Sequence, residues 1–429
     1  MEKVKLLMIY PVNQTLRERA FPLGFYIAST VLNKNGFDVK CLDLSCTIDW
    51  KNEFAKQITS FSPEIIGFSI CGATNYKFAL EIVQTFKLHK HYPVIFGGQH
   101  IQEPTEMKCE FYLGVTGYIE NLKEFSCKKL TNSYLMETID YSLIDKPLNY
   151  LPAVEISRGC WNLCNFCNAD NLHSEKKTEQ IQQELQKLAE IYPRDTILTI
   201  SGSNHIFPNW KKRGVLTLLK EYNSHFKYNY NLGVEAGWET VWEDILQLNL
   251  WNIFIGIESV NEATLLNMHK SKTPKEYIKK ASDLLRRCVK DNVFALAFYI
   301  YGYPFDKKIE LDVLDNFIKT HSHKNIVQIG EPCQAYPGTK LLLEKEKYRK
   351  QGVTFNNAYK TQYKPDIEYY FLDMSSELTF DYLKKRSSKT FISVNKDKQS
   401  FYRCCGFRNF ESYELFEKNI GSYASFYKN

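Results

Sequence analysis

The sequence lacks any apolar run near the 18 or so residues that a membrane-spanning helix requires. Its charge is nearly balanced, with 55 basic and 49 acidic residues, so nothing in it favours nucleic acid or a membrane surface as a partner. It has no fixed-period repeat and no low-complexity tract. The opening stretch MEKVKLLMIYPVNQ holds too short an apolar run for a secretory signal. We therefore expect a soluble, cytoplasmic protein without a membrane span.

Two further absences limit the function. The 12 cysteines are mostly scattered singly and do not form the spacing of a secreted disulfide framework, which fits reduced thiols inside a cell. No G-x-G-x-x-G follows the first predicted strand, which disfavours dinucleotide binding. What the chain does have is ordinary globular composition over 429 residues, enough for two or three domains.

Residues 1–130 alternate strand and helix patterns, which predicts a five-stranded, doubly wound parallel sheet. The predicted strands are 4–10, 38–45, 65–71, 93–99 and 111–115. In such sheets a ligand binds beyond the carboxyl ends of the strands. Gly97 and Gly98 lie near the end of a predicted strand and Gly117 follows another, where glycine allows backbone to approach a ligand closely. Tight turns explain these glycines equally well.

A linker at 131–150 leads into a second series of strands and helices. Its predicted strands are 153–157, 197–202, 229–236, 252–259, 294–302 and 326–333. The helices predicted between them include 209–222 and 240–249. Six such units predict a partial (βα)6 barrel over 151–345, with the active site on the loops that follow the strands. Residues 346–429 lose this alternation and are rich in aromatic residues, which suits either a cap over the barrel or a packing appendage.

The loop after the first barrel strand reads SRGCWNLCNFCN, with cysteines at 160, 164 and 167. A structural zinc site would need a fourth ligand, for which Asp170 or His173 is available, but such sites usually pair two C-x2-C hooks. An iron–sulfur cluster held by three thiolates would instead leave one iron without a protein ligand. An open metal position of that kind binds substrate. A second cluster at Cys404 and Cys405 is disfavoured because adjacent cysteines suit one tetrahedral site poorly.

This loop resembles the signature of the radical S-adenosylmethionine (SAM) superfamily, C-x3-C-x2-C with an aromatic residue before the third cysteine. The resemblance implies that Cys160, Cys164 and Cys167 hold a [4Fe-4S] cluster whose open iron binds SAM. GIES (256–259) and YIYGYP (299–304) resemble the segments that contact SAM after the fourth and fifth strands, whereas SGSNH (201–205) and Glu235 depart from the usual pattern. The SAM contacts so implied are Phe166, Ser201, Asn204, Glu235, Glu258, Ser259 and Tyr301.

The first third resembles the cobalamin-binding domain of B12-dependent radical SAM enzymes, over stretches such as PLGFYIASTVLNKNGFDVKCLDLS (22–45) and VIFGGQHIQEPTE (94–106). No D-x-H-x-x-G occurs, so the cobalt-ligating histidine of mutase-type proteins is absent, and we do not expect His100 to replace it. The cobalamin contacts that this resemblance implies are Pro11, Leu23, Gly24, Ser69, Cys71, Thr74, Tyr76, Gly97, Gly98, Gln99, Gly117 and Glu120.

The two resemblances together imply a cobalamin-dependent radical SAM methyltransferase that moves a methyl group by way of methylcobalamin to an unactivated carbon. The substrate would be a natural product, another metabolite or a peptide, and an external donor such as flavodoxin or ferredoxin would supply electrons. One alternative is a non-methylating radical rearrangement, cyclisation or oxidation with cobalamin auxiliary or absent. Another is a metal- or corrinoid-binding protein without catalysis. A methylthiotransferase is disfavoured because the early cysteines do not form a second cluster motif.

Overall fold

The computed structural model describes residues 3–11, 19–44, 49–70, 73–98, 111–113, 136–169, 173–202, 207–336, 338–357 and 370–404. Over these ranges the chain forms two parallel sheets covered by helices, followed by four more helices and a small antiparallel sheet. No helix in this part of the chain is long and apolar enough to cross a membrane.

The first sheet has five parallel strands in the spatial order β2-β1-β3-β4-β5. The strands are β1 (Val4–Tyr10), β2 (Phe37–Asp43), β3 (Ile65–Ser69), β4 (Val94–Gly97) and β5 (Phe111–Leu113). Three α-helices connect the first four: α1 (Leu23–Lys34), α2 (Trp50–Phe61) and α3 (Ala73–Thr85), with a 3-10 turn at Leu88–Lys90. In this strand order the direction of winding changes between β1 and β3, which is where such sheets bind ligands.

Strand β1 shows why this sheet is apolar throughout. Side chains alternate between its faces, so Leu6 and Met8 belong to one buried cluster, and Leu7 and Ile9 belong to another on the opposite side. Helices cover both faces, as a parallel sheet requires. The cluster with Leu6 and Met8 extends without a break into the core of the second sheet.

The second sheet has six parallel strands in sequential order, as a partial (βα)6 barrel has. The strands are β6 (Ala153–Glu155), β7 (Thr196–Ser201), β8 (Phe226–Leu232), β9 (Leu250–Glu258), β10 (Ala295–Tyr301) and β11 (Ile326–Pro332). The intervening helices are α4 (Thr178–Ile191), α5 (Phe207–Lys212), α6 (Val215–Glu221), α7 (Trp242–Ile245), α8 (Glu262–Asn267), α9 (Pro274–Lys290) and α10 (Lys308–Thr320).

Two helices predicted from the sequence differ in the structure. The helix predicted over 209–222 is divided into α5 and α6, because Gly214 adopts a left-handed conformation, with φ of 75°. The helix predicted over 240–249 is reduced to the four residues of α7, which follow a 3-10 turn at Trp238–Thr240. Gly214 allows backbone that other residues rarely adopt, and Gly237, just before the 3-10 turn, also has a positive φ.

The segment at 136–152 joins the two sheets through specific contacts. Asp140 N–H donates to Thr30 Oγ1 of α1 at 2.9 Å, and Ile139 N–H donates to Glu184 Oε1 of α4 at 3.0 Å. Glu184 also pairs with Lys176 at 2.9 Å, and both side chains are fully buried. The segment contains 3-10 turns and a two-residue strand that pairs with one near α1: Tyr141–Leu143, Pro147–Asn149, Tyr150–Leu151 and Arg19–Ala20. It therefore packs against both layers.

The described part of the chain after β11 adds four helices and a small antiparallel sheet, and its longest helix packs on the helical side of the second sheet. Its elements are the short strand Gln334–Ala335, α11 (Lys340–Leu343), α12 (Lys345–Arg349), β12 (Thr354–Asn357), β13 (Tyr370–Asp373), α13 (Phe380–Val394) and α14 (Lys398–Cys404). Arg386 of α13 binds Asp315 of α10 through two nitrogens, at 2.9 and 2.7 Å. This contact supports the packing interpretation for α13. The exact domain limits at 130, 150 and 345 stay predictions.

Candidate functional site

The three-cysteine loop begins at the carboxyl end of β6, where side-chain and backbone hydrogen bonds hold the chain in place. Arg158 binds Glu155 through two parallel hydrogen bonds of 2.9 and 2.8 Å, and both side chains are largely buried. The two-residue strands Ser157–Arg158 and Ser174–Glu175 pair antiparallel, so they close the loop at its base. This geometry holds the chain on both sides of the cysteines.

Asn165, between the second and third cysteines, fixes the middle of the loop. Its backbone N–H donates to the Met268 carbonyl at 2.9 Å, and its side-chain amide donates to the Asn267 carbonyl at 2.7 Å. Its own carbonyl accepts from Leu341 N–H at 2.8 Å. The loop is thus attached to the end of α8 and to the start of α11, and sequence reasoning did not single out Asn165.

The thiols lie close enough to change each other's ionisation. Burial raises the pKa of the Cys164 thiol to about 11, the Lys270 ammonium counteracts this, and the Cys167 and Cys160 thiols raise it further. All three are free cysteines. Within the described ranges, no three His, Cys, Asp or Glu side chains form a group that would hold a metal ion. A three-thiolate cluster does not need such convergence, because each thiolate binds a different iron. The donor set therefore fits a cluster.

Glu258 lies at the end of β9 in an uncommon conformation. Its φ is 66°, in the left-handed region, and the register between β9 and β10 shifts between Gly256 and Glu258. A side chain at Gly256 would place its Cβ only 2.5 Å from Glu258 Oε1. The carboxylate thus folds back over the glycine, where Lys270 Nζ lies 3.4 Å from Oε1. A non-glycine residue with positive φ costs about 1–3 kcal/mol and often marks a functional position.

Glu235 joins the same group from the loop after β8. It accepts a short hydrogen bond from the Ser271 hydroxyl, and Ser271 follows Lys270 directly. The Phe166 ring also lies here, with its centre 6.0 Å from Lys270 Nζ. The structure therefore brings together three predicted SAM contacts around Lys270 and Ser271. Neither of these two residues was predicted, because no local motif marks them.

Other predicted SAM contacts are placed differently. Ser201 ends β7, and its carbonyl accepts from Ile156 N–H just before the cysteine loop. The Ser259 hydroxyl accepts from Asn261 N–H at 3.2 Å, so it supports the start of α8. Asn204 lies outside the described residues. These positions keep Ser201 and Ser259 at the carboxyl ends of the strands.

Tyr301 faces away from the strand ends. Its hydroxyl donates to Asp315 Oδ1 at 2.6 Å, and its fully buried ring packs edge-on against Phe391 of α13. Alternation along β10 places Tyr299, whose ring also packs against Phe391, on the same outer face. The SAM contact of Tyr301 stays a prediction, and in this structure its side chain packs into the helical layer.

The predicted cobalamin contacts gather partly at the carboxyl edge of the first sheet. Ser69 and Gly97 end β3 and β4, and the Pro11 carbonyl, after β1, accepts from Asn75 Nδ2 at 3.1 Å. Leu23 and Gly24 begin α1. Cys71, Gln99, Gly117 and Glu120 lie outside the described residues, as does the side chain of Thr74.

Two of the predicted cobalamin contacts have local structural roles. A Cβ on Gly98 would lie 2.3 Å from the Ile70 carbonyl oxygen, and its φ is 119°. The chain's own backbone therefore requires glycine there. The Tyr76 ring is 6% exposed and packs edge-on against Phe96 at 5.8 Å. Its ring therefore belongs mainly to the core between α3 and the sheet.

Asp306 connects the loop after β10 to the start of α8. It accepts from Tyr303 N–H at 2.9 Å and, through a short bond, from the Thr264 hydroxyl. Burial raises its pKa to about 6, although these hydrogen bonds oppose the shift. The folded protein therefore holds this proton more tightly than the unfolded chain, so stability falls as pH rises through the interval between the two pKa values.

We expect Asp306→Asn to become more stable relative to wild type as pH rises from about 4 to 6, because asparagine cannot titrate. The expected change in the difference is about 2 kcal/mol, given 1.36 kcal/mol per pKa unit. Urea unfolding of both proteins at several pH values measures it. Asp291→Asn is the control of opposite sign, because hydrogen bonds from Arg287 and Trp242 lower the Asp291 pKa despite burial. The stability that Asp291→Asn loses relative to wild type should become smaller as pH falls below about 4. If the difference in stability between Asp306→Asn and wild type did not change with pH, that result would contradict the raised pKa of Asp306.

Comparison with family models finds two matches. A B12-binding domain model matches residues 10–124, and a Radical SAM superfamily model matches residues 154–314. The first range ends near β5, and the second begins at β6 and includes the cysteine loop.

Similar proteins include one curated relative and several solved structures. The relative is an uncharacterized methyltransferase, PH0819, of Pyrococcus horikoshii, 22% identical over 80% of this chain and 83% of its own length. The structure of the radical SAM methyltransferase TsrM from Kitasatospora setae superposes with a TM-score of 0.71 at 12% identity, covering 98% of this chain and 97% of TsrM. The cobalamin-dependent SAM radical enzyme OxsB gives 0.65 at 14% identity, covering 99% and 72%. At these identities the structures show a shared fold.

Proposed function

We propose that this chain, which belongs to the cobalamin-dependent radical SAM enzymes, is a methyltransferase acting on a carbon atom of a metabolite or peptide. The observation that carries the proposal is the three-thiol loop beside Glu258 and Lys270, in a chain that also has a B12-binding domain. PH0819 is named a methyltransferase, and so is TsrM, whose structures hold a tryptophan substrate in one case and cobalamin with a [4Fe-4S] cluster in another. These names support the methyl-transfer reaction.

The bound groups would supply the reaction chemistry: SAM the methyl group, cobalamin a carrier for it, and the cluster single electrons. Cys160, Cys164 and Cys167 would hold the cluster, and the hydrogen bonds of Asn165 would keep their loop in one conformation. Glu258 and Glu235 would contact SAM from the ends of neighbouring strands. An external one-electron donor of the flavodoxin or ferredoxin type would reduce the cluster.

The first sheet would hold cobalamin at its carboxyl edge. Ser69 and Gly97 end strands there and Pro11 follows one, near the change in winding direction between β1 and β3. A Cβ on Gly24 would meet no atom of the described residues within 4 Å, so the described part of the chain leaves space beside the start of α1. This space suits a large flat ligand that approaches the backbone closely.

The test is isotopic. The protein is purified anaerobically with iron, sulfide and cobalamin, and then incubated with SAM carrying a labelled methyl group, a one-electron reductant, and tryptophan or a cell-extract metabolite pool. We expect S-adenosylhomocysteine and a labelled product. Production of 5′-deoxyadenosine without transfer of the label would overturn methyl transfer and favour the non-methylating alternative. Failure to retain cobalamin would also exclude the methyltransferase but not the radical SAM assignment.

A further inference from the structure

Lys270 is a nearly buried cation within the cysteine site. Its side chain is 10% exposed, its ammonium lies 3.4 Å from Glu258 Oε1, and the Phe166 ring centre lies 6.0 Å away. Its charge also acts on the Cys164 and Cys167 thiols. Burial alone would lower the pKa of Lys270, but Tyr277, Glu258 and Cys164 raise it above the ordinary value. The side chain is therefore a fixed positive charge.

The end of α8 determines where this charge lies. His269 is left-handed, with φ of 53°, and its N–H donates to the Leu266 carbonyl at 3.0 Å. Lys270 N–H donates to the Leu265 carbonyl at 3.0 Å. These two bonds are those of a Schellman motif, which ends a helix in a defined direction. The same turn offers the Asn267 and Met268 carbonyls to Asn165. The end of α8 therefore holds both the cysteine loop and Lys270 in place.

We infer that the positive charge of Lys270 raises the reduction potential of the cluster held by Cys160, Cys164 and Cys167. A cluster with three thiolates is anionic, and an added electron increases its negative charge. A nearby cation favours the reduced form, and its effect is large in a partly buried site where water screens charge poorly. Glu258 pairs with Lys270, and its carboxylate acts on the same thiols with the opposite sign.

Three variants test this inference. Lys270→Met removes the positive charge at similar length, Lys270→Arg retains it, and Glu258→Gln removes the opposing negative charge. Each protein is reconstituted with iron and sulfide, and its cluster is titrated with redox mediators in the absence of SAM, followed by EPR of the reduced cluster. We expect a more negative midpoint potential for Lys270→Met, a less negative one for Glu258→Gln, and an unchanged one for Lys270→Arg.

Comparing Lys270→Met with Lys270→Arg distinguishes the effect of the charge on the cluster from a purely structural role. A purely structural salt bridge would lower the melting temperature in Lys270→Met without moving the potential, and that result would overturn the inference. Equal shifts in Lys270→Met and Lys270→Arg would overturn it as well. If Lys270→Met fails to retain a cluster, Glu258→Gln alone decides, because an unchanged or more negative potential there contradicts the inference.

The inference rests on the cluster assignment within the proposed function and does not depend on methyl transfer. Iron content and the EPR signal of the wild-type protein establish the cluster before any variant is compared. An absence of labelled product with normal potentials would count against the methyltransferase alone. A wild-type protein that binds no cluster would instead remove the assignment on which both rest.

Discussion

Replacing Cys164 by alanine should abolish SAM turnover and remove the cluster. An iron–sulfur cluster is held by its thiolates, and here the loop offers only three of them. Loss of an outer partner of a metal ligand costs about 10- to 100-fold, so loss of a ligand should cost more than about 100-fold. Iron content, the absorbance of the reconstituted protein and SAM cleavage measure the effect.

Cys288→Ala is the matched control for this substitution. Cys288 is fully buried on α9, among the helices that cover the second sheet. Its loss leaves a small cavity that should cost about 1 kcal/mol of stability, while the cluster stays intact. Undiminished SAM turnover in Cys164→Ala would exclude any radical SAM function. A loss of cluster in both variants would show that the effect is not specific to the loop.

Gly98→Ala should strongly destabilise the first sheet. The new Cβ would lie 2.3 Å from the Ile70 carbonyl oxygen, which belongs to backbone and cannot rotate away as a side chain could. The positive φ of 119° adds strain, and such strain costs about 1–3 kcal/mol by itself. We expect a total loss of about 3 kcal/mol or more, measured as a lower thermal midpoint together with loss of cobalamin.

Gly24→Ala is the informative comparison, because this glycine was also predicted to contact cobalamin. Its Cβ would meet no atom within 4 Å in the part of the chain that the structure describes, and the residue lies in α1. Alanine favours helix by up to about 1 kcal/mol, so the stability should be unchanged or slightly higher. If Gly24 lines the cobalamin site, this variant retains less cobalamin without losing stability. If Gly98→Ala were as stable as wild type, the contact with the Ile70 carbonyl would not explain the glycine at position 98.

The comparison of these glycines shows what local sequence can and cannot distinguish. Gly97-Gly98 near the end of a predicted strand indicates close backbone approach, but the group that approaches Gly98 is Ile70, at the end of the neighbouring strand. Tyr301 illustrates the same limit. The motif around it marks a strand end, whereas the position of α13, some eighty residues later, decides that its side chain faces outward.

The sequence by itself determined the features that depend on short spacings. Period-two and period-3.6 patterns indicate the alternating strands and helices, and the spacing of Cys160, Cys164 and Cys167 indicates the ligands of a cluster. Only the tertiary structure decided what surrounds these thiols. Lys270 and the cysteine loop are about a hundred residues apart, and they come together because α8 ends against the loop, where Asn165 binds Asn267 and Phe166 lies near Lys270. Such contacts follow from the packing of whole elements, which local patterns do not encode.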